Sequence, residues 1–237
     1  MLTQEIASLF REHHGAYGSP RIRAALAARG HHVAQKRVAR LMRARGLRAR
    51  VARIYTANPG VHRVFNQHPN RIRGLPVRTR DRVWVGDITY LRVGGRWWYF
   101  AVVLDQYSRR VLAWSLGRRR DAALTSGVLM AAIRRRRPAA GFIFHSDRGI
   151  EYSAAEFRDC IHWHGGAQSS ALTGPGENAH MESFFHTLKT ERLHGRRFLT
   201  VDRLRRELTN YVRYYNARRA HSALGYRSPM QYESEVA

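Results

Sequence analysis

The stretch "RVWVGDITYLRVGGRWWYFAVVLDQ", residues 82–106, contains two β-branched and aromatic runs that are separated by Gly94-Gly95. Such runs favour β-strands, and a glycine pair favours a tight hairpin because both central turn residues can adopt positive φ. The first run also carries Asp87 among apolar residues, where a carboxylate is costly to bury without a compensating cation. The stretch therefore predicts a hairpin in a sheet, together with an acid that needs an explanation.

The residues after this hairpin predict a mixed α/β domain with a central sheet and helices on its faces. Ser153 is expected to cap one of the helices, with Glu156 completing a capping box. In chain order, the further elements are the strand "RRVLAWSLG" (109–117), a helix from Asp121 to about Arg136, the strand "GFIFHSD" (141–147), a helix from Ser153, the short strand "AQSS" (167–170) and a long helix from about Asn178.

Two short helices near the N-terminus predict a helix-turn-helix-like module. The first begins at Ser19-Pro20, with Ser19 as N-cap, and the second is "AQKRVARLMRARG", residues 34–46, with an apolar stripe. A solvated basic face on a small helical bundle explains the pattern equally well. The candidate DNA contacts lie off the apolar face of the second helix: Lys36, Arg37, Arg40 and Arg43.

The charge of the chain favours a polyanionic partner. The 42 basic residues exceed the 17 acidic ones, and the net charge is +25. Residues 1–80 hold 17 basic and 2 acidic side chains, so DNA binding is expected mainly there. Arginine-rich codon usage is the alternative explanation.

Cysteine and hydropathy patterns exclude several classes of protein. The single cysteine, Cys160, excludes an intrachain disulfide and a cysteine-based zinc site. The histidines of the N-terminal third, His13, His14, His31 and His32, are instead expected near phosphate or in turns. The longest apolar run, residues 97–104, is too short to span a bilayer, and the N-terminus has no signal-peptide pattern. We therefore predict a cytoplasmic protein without a membrane partner.

Three carboxylates are candidates for a metal site. Asp87 lies in the first strand, Asp147 ends the fourth strand, and Glu182 lies on the last helix of the domain. On that helix, Glu182, His186 and Lys189 follow one stripe beside an apolar one. Magnesium prefers oxygen ligands, and two such ions can activate an attacking oxygen and stabilise a leaving one. Taken singly, an Asp that caps a turn, an Asp paired with an Arg and a solvated Glu are the commoner interpretations.

Several blocks of the chain resemble bacterial insertion-sequence transposases of the IS-three type, within the retroviral-integrase superfamily. These blocks are "WVGDITY", "VVLDQYSRRVLAW", "HSDRGIEYSAAEF", "GENAHMESFFHTLKTE" and "YYNARRAHSALGYRSPMQY". The resemblance implies an α/β fold, an RNase H-like core with a mixed five-stranded sheet flanked by helices, preceded by the small helical module. The implied parts are a module at 1–55, a basic linker at 56–80, a catalytic core at 81–194 and a C-terminal helical extension at 195–237.

The resemblance also implies a reaction. Asp87, Asp147 and Glu182 would be the Asp-Asp-Glu ligands of two Mg²⁺ or Mn²⁺ ions, with Asp87 shared by both. Water would attack a phosphodiester at an element end, and the freed 3′-hydroxyl would then attack a second phosphodiester. The implied partners are terminal inverted repeats and target DNA in the nucleoid, further copies of the chain, and a first-frame protein that supplies a DNA-binding and zipper region.

The chain departs from the family pattern in three places. Gly86 stands where a Thr is usual, residues 177–179 read Glu-Asn-Ala instead of Asp-Asn-Ala, and 34 residues separate Asp147 from Glu182 instead of the family's 35. His186 and Lys189 remain candidate DNA contacts. Two alternatives stay open: an inactive, domesticated DNA-binding repressor, and a nuclease of the same fold that cuts without joining.

Overall fold

The computed structural model describes residues 1–50, 68–171 and 177–235. The helices are α1 (Leu2–Glu12), α2 (Ser19–Ala28), α3 (Gln35–Ala44), α4 (Ala122–Arg136), α5 (Ile150–Ser153), α6 (Ala155–Trp163), α7 (Ala179–Leu188), α8 (Val201–Ala217) and α9 (Pro229–Glu235). The strands are β1 (Val83–Val93), β2 (Arg96–Asp105), β3 (Val111–Gly117), β4 (Ile143–Ser146) and β5 (Ala167–Ser170). A π-helix, Lys189–Leu193, continues α7, and a 3₁₀ turn, Ser222–Leu224, precedes α9.

Across these described ranges, the strands form one five-stranded sheet in the order β3-β2-β1-β4-β5. β1 and β2 are antiparallel, as are β2 and β3, whereas β4 is parallel to both β1 and β5. Gly94 and Gly95 turn the first hairpin with φ of +52° and +79°, the region that glycine enters without a steric penalty. The predicted mixed sheet and its hairpin are confirmed.

Helices cover both faces of the sheet, as the order of elements predicts. On one face, Val85 and Phe100 pack with Phe184 of α7 and Leu208 of α8. On the other face, Trp84 and Ala101 pack with residues of α4 and α6. The C-terminal helix α8 is therefore docked on the core, and its apolar stripe is buried: Leu204, Leu208, Tyr211 and Tyr215.

Two predicted helix caps are wrong. Ser153 is the last residue of the short helix α5, and the N-cap of α6 is Ala154, whose extended backbone breaks the two helices apart. Ser19 is already the first residue of α2, and Gly18 is its N-cap. In both places the N-cap is the residue next to the predicted serine, so the helix is present and its first residue differs by one position.

Within residues 1–50, the described part of the N-terminal module, there are three helices. α1 packs on α2 and α3 through a core that contains Ile6, Leu9, Leu26 and Val38. The predicted helices α2 and α3 are present, and α1 is an addition that the sequence analysis did not identify. The candidate DNA contacts Lys36, Arg37, Arg40 and Arg43 are all exposed on α3, and none makes an ion pair with a described residue.

The module is docked on the C-terminal part of the chain. The hydroxyl of Tyr17 accepts a hydrogen bond from the Ala220 backbone N–H (2.6 Å), and the Nδ1 atom of His13 lies 3.1 Å from the Tyr214 hydroxyl. His13 also stacks on Tyr17, with ring centroids 3.8 Å apart. His13 is thus buried in this contact, in the turn that ends α1, and His14 follows it in the same turn with φ of +55°.

A buried ion pair lies beside this contact. Glu191, in the π-helix, accepts hydrogen bonds from the Arg219 guanidinium at 2.7 to 3.1 Å and from the Tyr211 hydroxyl at 3.1 Å. Glu191 is 6% exposed and Arg219 is 4% exposed. Arg21 of the module approaches the same carboxylate, at 3.9 Å. One acidic side chain therefore joins the module, the segment after α7 and the segment after α8.

Among the described residues, no helix is long and apolar enough to cross a bilayer.

Candidate active site

The parallel pairing of β1 with β4 places Asp87 and Asp147 side by side. Val83, Trp84 and Val85 pair with Ile143, Phe144 and His145. The same offset, continued for two residues, sets Asp87 opposite Asp147. Because side chains alternate along a strand, Asp87 shares the face of Val85, which is the face that α7 covers.

The carboxylates of Asp87 and Asp147 are both half-buried, and they repel one another. Burial raises the pKa of Asp87 well above its ordinary value, and the neighbouring Asp147 raises it further. One oxygen of each carboxylate accepts a backbone hydrogen bond, from Ile88 (2.7 Å) and from Gly149 (3.1 Å) respectively. Such a pair has the oxygen donors and the excess negative charge that attract a hard cation.

Arg120 and Glu151 belong to the same site, and the sequence analysis did not identify either. The Arg120 guanidinium donates to Glu151 at 2.7 and 2.9 Å, and its Nη2 atom lies 3.7 Å from a carboxylate oxygen of Asp147. Glu151 is 2% exposed, and its Oε2 atom is buried without a hydrogen-bond partner in the described structure. A signal was present, since Glu151 stands four residues after Asp147 in a chain with few acids.

The N-terminus of α7 is anchored on the sheet next to Asp87. The Asn178 side chain donates to the Gly86 carbonyl oxygen at 3.1 Å, and the Nε2 atom of His145 lies 3.2 Å from the Glu177 carbonyl oxygen. The one-residue shortening falls before this anchor, and Glu177, which stands where an Asp is usual, is part of it. The loop "ALTGPGEN", in which the one-residue shortening falls, includes residues 172–176, which lie outside the described residues.

Glu182 follows Asn178 by one helical turn and is exposed on α7. The structure thus brings Asp87 and Asp147 together and carries Glu182 on the helix that packs against their strand. It does not gather the three into one cluster, because no three acidic or histidine side chains among the described residues lie close enough to hold a metal ion.

The two basic candidates for DNA contact on this helix, His186 and Lys189, differ in their burial. Lys189, the first residue of the π-helix, is half-buried with its Nζ atom 5.5 Å from the centre of the Tyr90 ring. Burial lowers the pKa of Lys189, and the nearby Asp87 counteracts this effect. His186 is exposed. Lys189 therefore lies on the acidic side of the site, whereas His186 faces outward.

The unusual Gly86 has a structural explanation. A Cβ atom at this position would lie 2.3 Å from Cζ of Phe144, so the Phe144 ring occupies the space of any larger residue. We expect Gly86→Thr to lower the free energy of unfolding by about 1–3 kcal/mol, because it overpacks the core. Chemical denaturation measures this change, and Gly86→Thr combined with Phe144→Val should recover most of the loss. An unchanged stability of the single variant would contradict the explanation.

Family comparisons cover nearly the whole chain. Residues 78–174 and 182–236 each match an "Integrase core domain" family, and residues 1–55 match an "HTH-like domain" family. The chain is 33% identical over 236 residues to the transposase for insertion sequence element IS904 of Lactococcus lactis, covering 98% of this chain and 93% of that protein. It is 36% identical over 232 residues to the transposase InsF for insertion sequence IS3A of Escherichia coli, covering 92% and 77%.

Solved structures share the fold at low sequence identity. A simian T-cell lymphotropic virus intasome, in complex with PP2A regulatory subunit B56 gamma, matches with a TM-score of 0.55 and 16% identity over 96% of this chain and 74% of that chain. The HTLV-2 integrase catalytic core domain in complex with magnesium, in its trimeric form, matches with a TM-score of 0.51 and 15% identity over 65% and 96%. The likeness identifies the RNase H-like integrase fold.

Proposed function

The chain belongs to the insertion-sequence transposases that carry an integrase core domain, and we propose that Asp87, Asp147 and Glu182 are its catalytic carboxylates. The enzyme is a DDE-type transposase. The observation that supports this residue assignment best is the register that sets Asp87 beside Asp147 on two parallel strands. Glu182 completes the set in this proposal, through the helix whose N-terminus is tied to the strand of Asp87.

The donor set fits a divalent cation. Asp87 and Asp147 offer adjacent carboxylates, and the Oε2 atom of Glu151 is a buried oxygen without a hydrogen-bond partner in the described structure. We propose that Asp87, Asp147 and Glu182 hold two Mg²⁺ or Mn²⁺ ions, with Asp87 common to both. When bound, such ions supply activation of the attacking oxygen and stabilisation of charge on the phosphate.

The side chains of the chain then bind and orient the DNA. Arg120 fixes Asp147 and Glu151, so that the carboxylates are held in place before DNA arrives. Lys189 lies over Tyr90 near Asp87 and is placed to meet a phosphate of the DNA strand at the site. The reaction in this proposal is hydrolysis of a phosphodiester at an element end, followed by transfer of the freed 3′-hydroxyl to a second phosphodiester.

We extend the proposal to DNA contacts. Lys36, Arg37, Arg40 and Arg43 of α3 would bind the terminal inverted repeats, because they are exposed on the second helix of an HTH-like domain. His186 and Lys189 would contact the DNA that reaches the carboxylates. Further copies of the chain would pair two element ends on nucleoid DNA, and a first-frame protein would be an additional partner.

The division into parts is likewise a proposal. It consists of the module at 1–55, a linker at 56–80, the catalytic core at 81–194 and the extension at 195–237. Residues 51–67, which include the end of the module and the first half of the linker, lie outside the described residues.

A strand-joining assay tests the function. Purified protein is incubated with Mg²⁺ or Mn²⁺ and labelled DNA that carries the ends of its element, and joined products are resolved by size. We expect joining by the wild type and loss of joining by at least about a thousandfold in Glu182→Gln, with DNA binding retained. Ser183→Ala, a change at the neighbouring exposed position of α7, serves as a control for disturbance of the helix.

The outcomes separate the alternatives. Cleavage without joining would indicate a nuclease, and binding without either reaction would indicate a repressor. Full joining by Glu182→Gln would remove Glu182 from the proposed set and leave the paired aspartates.

A further inference from the structure

An arginine-lined hollow joins the N-terminal module to the segment after α7. It has a volume of about 420 Å³ and opens to solvent. The basic residues that line it are Arg11, His14, Arg48 and Arg50 of the module, and Arg192 and Arg196 of the segment after α7. We propose that this hollow binds backbone phosphates of the DNA between α3 and the carboxylates, an inference that rests on the proposed function.

The charge of the hollow is unbalanced. Among the described residues that line it, five are arginines and none is acidic. The neighbouring Glu207 is shared by Arg192 (3.5 Å) and Arg196 (3.0 Å), so one carboxylate faces two guanidiniums. Burial lowers the pKa of His14, and the positive charges of Arg192 and Arg50 lower it further. The hollow therefore carries excess positive charge, which a bound anion would balance.

Several of the guanidiniums are held in place. Arg50 donates to the Glu191 carbonyl oxygen at 3.1 Å, and Arg192 lies over the Tyr214 ring, 6.0 Å from its centre, as well as against Glu207. A guanidinium that is already oriented loses less side-chain entropy on binding, and its planar fork matches the oxygens of a phosphate. Arg11 and Arg48 are exposed and make no ion pair with a described residue, so their charge remains available to a ligand.

The place of the hollow in the fold favours a polymer over a small anion. Arg43 and Arg45, at the end of α3, are exposed and lead along the chain to Arg48. On the other side, Arg192 lies in the π-helix that continues directly from the helix of Glu182. A basic surface thus extends from the DNA-reading helix to the catalytic helix, as expected for a DNA backbone that follows the same path.

The test compares two double variants that remove equal charge. Arg11→Gln with Arg48→Gln removes two guanidiniums from the hollow, whereas Arg134→Gln with Arg158→Gln removes two exposed ones from α4 and α6 on the opposite face of the sheet. Equilibrium binding to labelled element-end DNA is measured in Ca²⁺ over a range of salt concentrations. The slope of log affinity against log salt should become shallower by about 1.8 for the first variant, since each lost phosphate contact removes about 0.9.

The control variant should keep the wild-type slope, and equal slopes for the two variants would overturn the inference. A second experiment is calorimetric titration of the wild type and the first variant with inorganic tripolyphosphate. If the first variant loses tripolyphosphate binding but keeps the wild-type DNA slope, the hollow is a site for small anions and the inference is overturned. Because binding in Ca²⁺ requires no chemistry, these failures are distinct from a wild type that binds DNA but does not join it.

Discussion

Replacement of Asp87 by Asn should abolish strand joining and at the same time stabilise the fold. Joining should fall by at least about a thousandfold, because one of the two adjacent carboxylates would no longer attract a cation. The free energy of unfolding should rise by roughly 0.5–2 kcal/mol in metal-free buffer, the scale expected when a site strained for function is relaxed.

The sign of the stability change follows from the pKa. Burial and Asp147 raise the pKa of Asp87 in the folded protein, so the folded state binds its proton more tightly than the unfolded state. Stability is therefore lost as the pH rises from the unfolded pKa through the folded one. An Asn carries no charge at any of these pH values, so the variant avoids this loss at neutral pH.

Three measurements check this prediction together. Joining is assayed on element-end DNA, stability by urea denaturation, and cation binding by the melting temperature with and without Mg²⁺. The cation should raise the melting temperature of the wild type and not that of Asp87→Asn. Asp159→Asn, at an exposed position on α6, is the matched control and should change none of the three. A joining-competent Asp87→Asn protein would refute the assignment of this residue.

Glu191→Gln should destabilise the protein by about 3–5 kcal/mol, because it leaves the Arg219 guanidinium buried without a counter-charge. Arg219 makes three hydrogen bonds to Glu191, and both side chains are almost wholly buried. Only one side-chain oxygen would then remain to accept the hydrogen bonds that Arg219 and Tyr211 now donate to two. Urea denaturation measures the loss, and amide hydrogen exchange should show that the contact between Tyr17 and Ala220 opens with it.

Two further variants make the test specific. Glu235→Gln removes an acid from the exposed pair with Arg227 and should cost less than about 1 kcal/mol. Glu191→Leu combined with Arg219→Met removes the two most deeply buried charges and should recover part of the stability, with Arg21 losing its contact with Glu191 in the same change. A Glu191→Gln protein as stable as the wild type would show that the pair contributes nothing to the junction.

The parallel strands of the core were predictable from local patterns, and the site depends on them. The runs around Asp87 and Asp147 read as strands, but the pairing of β1 with β4 joins segments that are far apart in the chain, so local patterns do not determine it. The position of α7 was harder to predict, since it depends on side-chain bonds to the sheet, such as Asn178 to the Gly86 carbonyl oxygen. No periodic pattern encodes such a bond, which links residues far apart in the chain.

Long-range ion pairs and hydrogen bonds escaped prediction for the same reason. Arg120 lies 31 residues from Glu151, and Tyr17 lies 203 residues from Ala220. The composition indicated only that buried acidic side chains would pair with arginines, and it did not identify which arginines. Gly86 could be recognised as a departure from the family, but its cause is the ring of Phe144 on the neighbouring strand, which only coordinates reveal.

The docking of the N-terminal module on α8 fixes the distance between the module and the catalytic part of the protein. Tyr17, His13 and Glu191 join the module to the catalytic body through side-chain contacts, in addition to the covalent chain. These contacts hold the two parts at a fixed separation. In the proposed function, the dimensions of the folded chain would then set the number of base pairs between the sequence that α3 contacts and the bond that is broken.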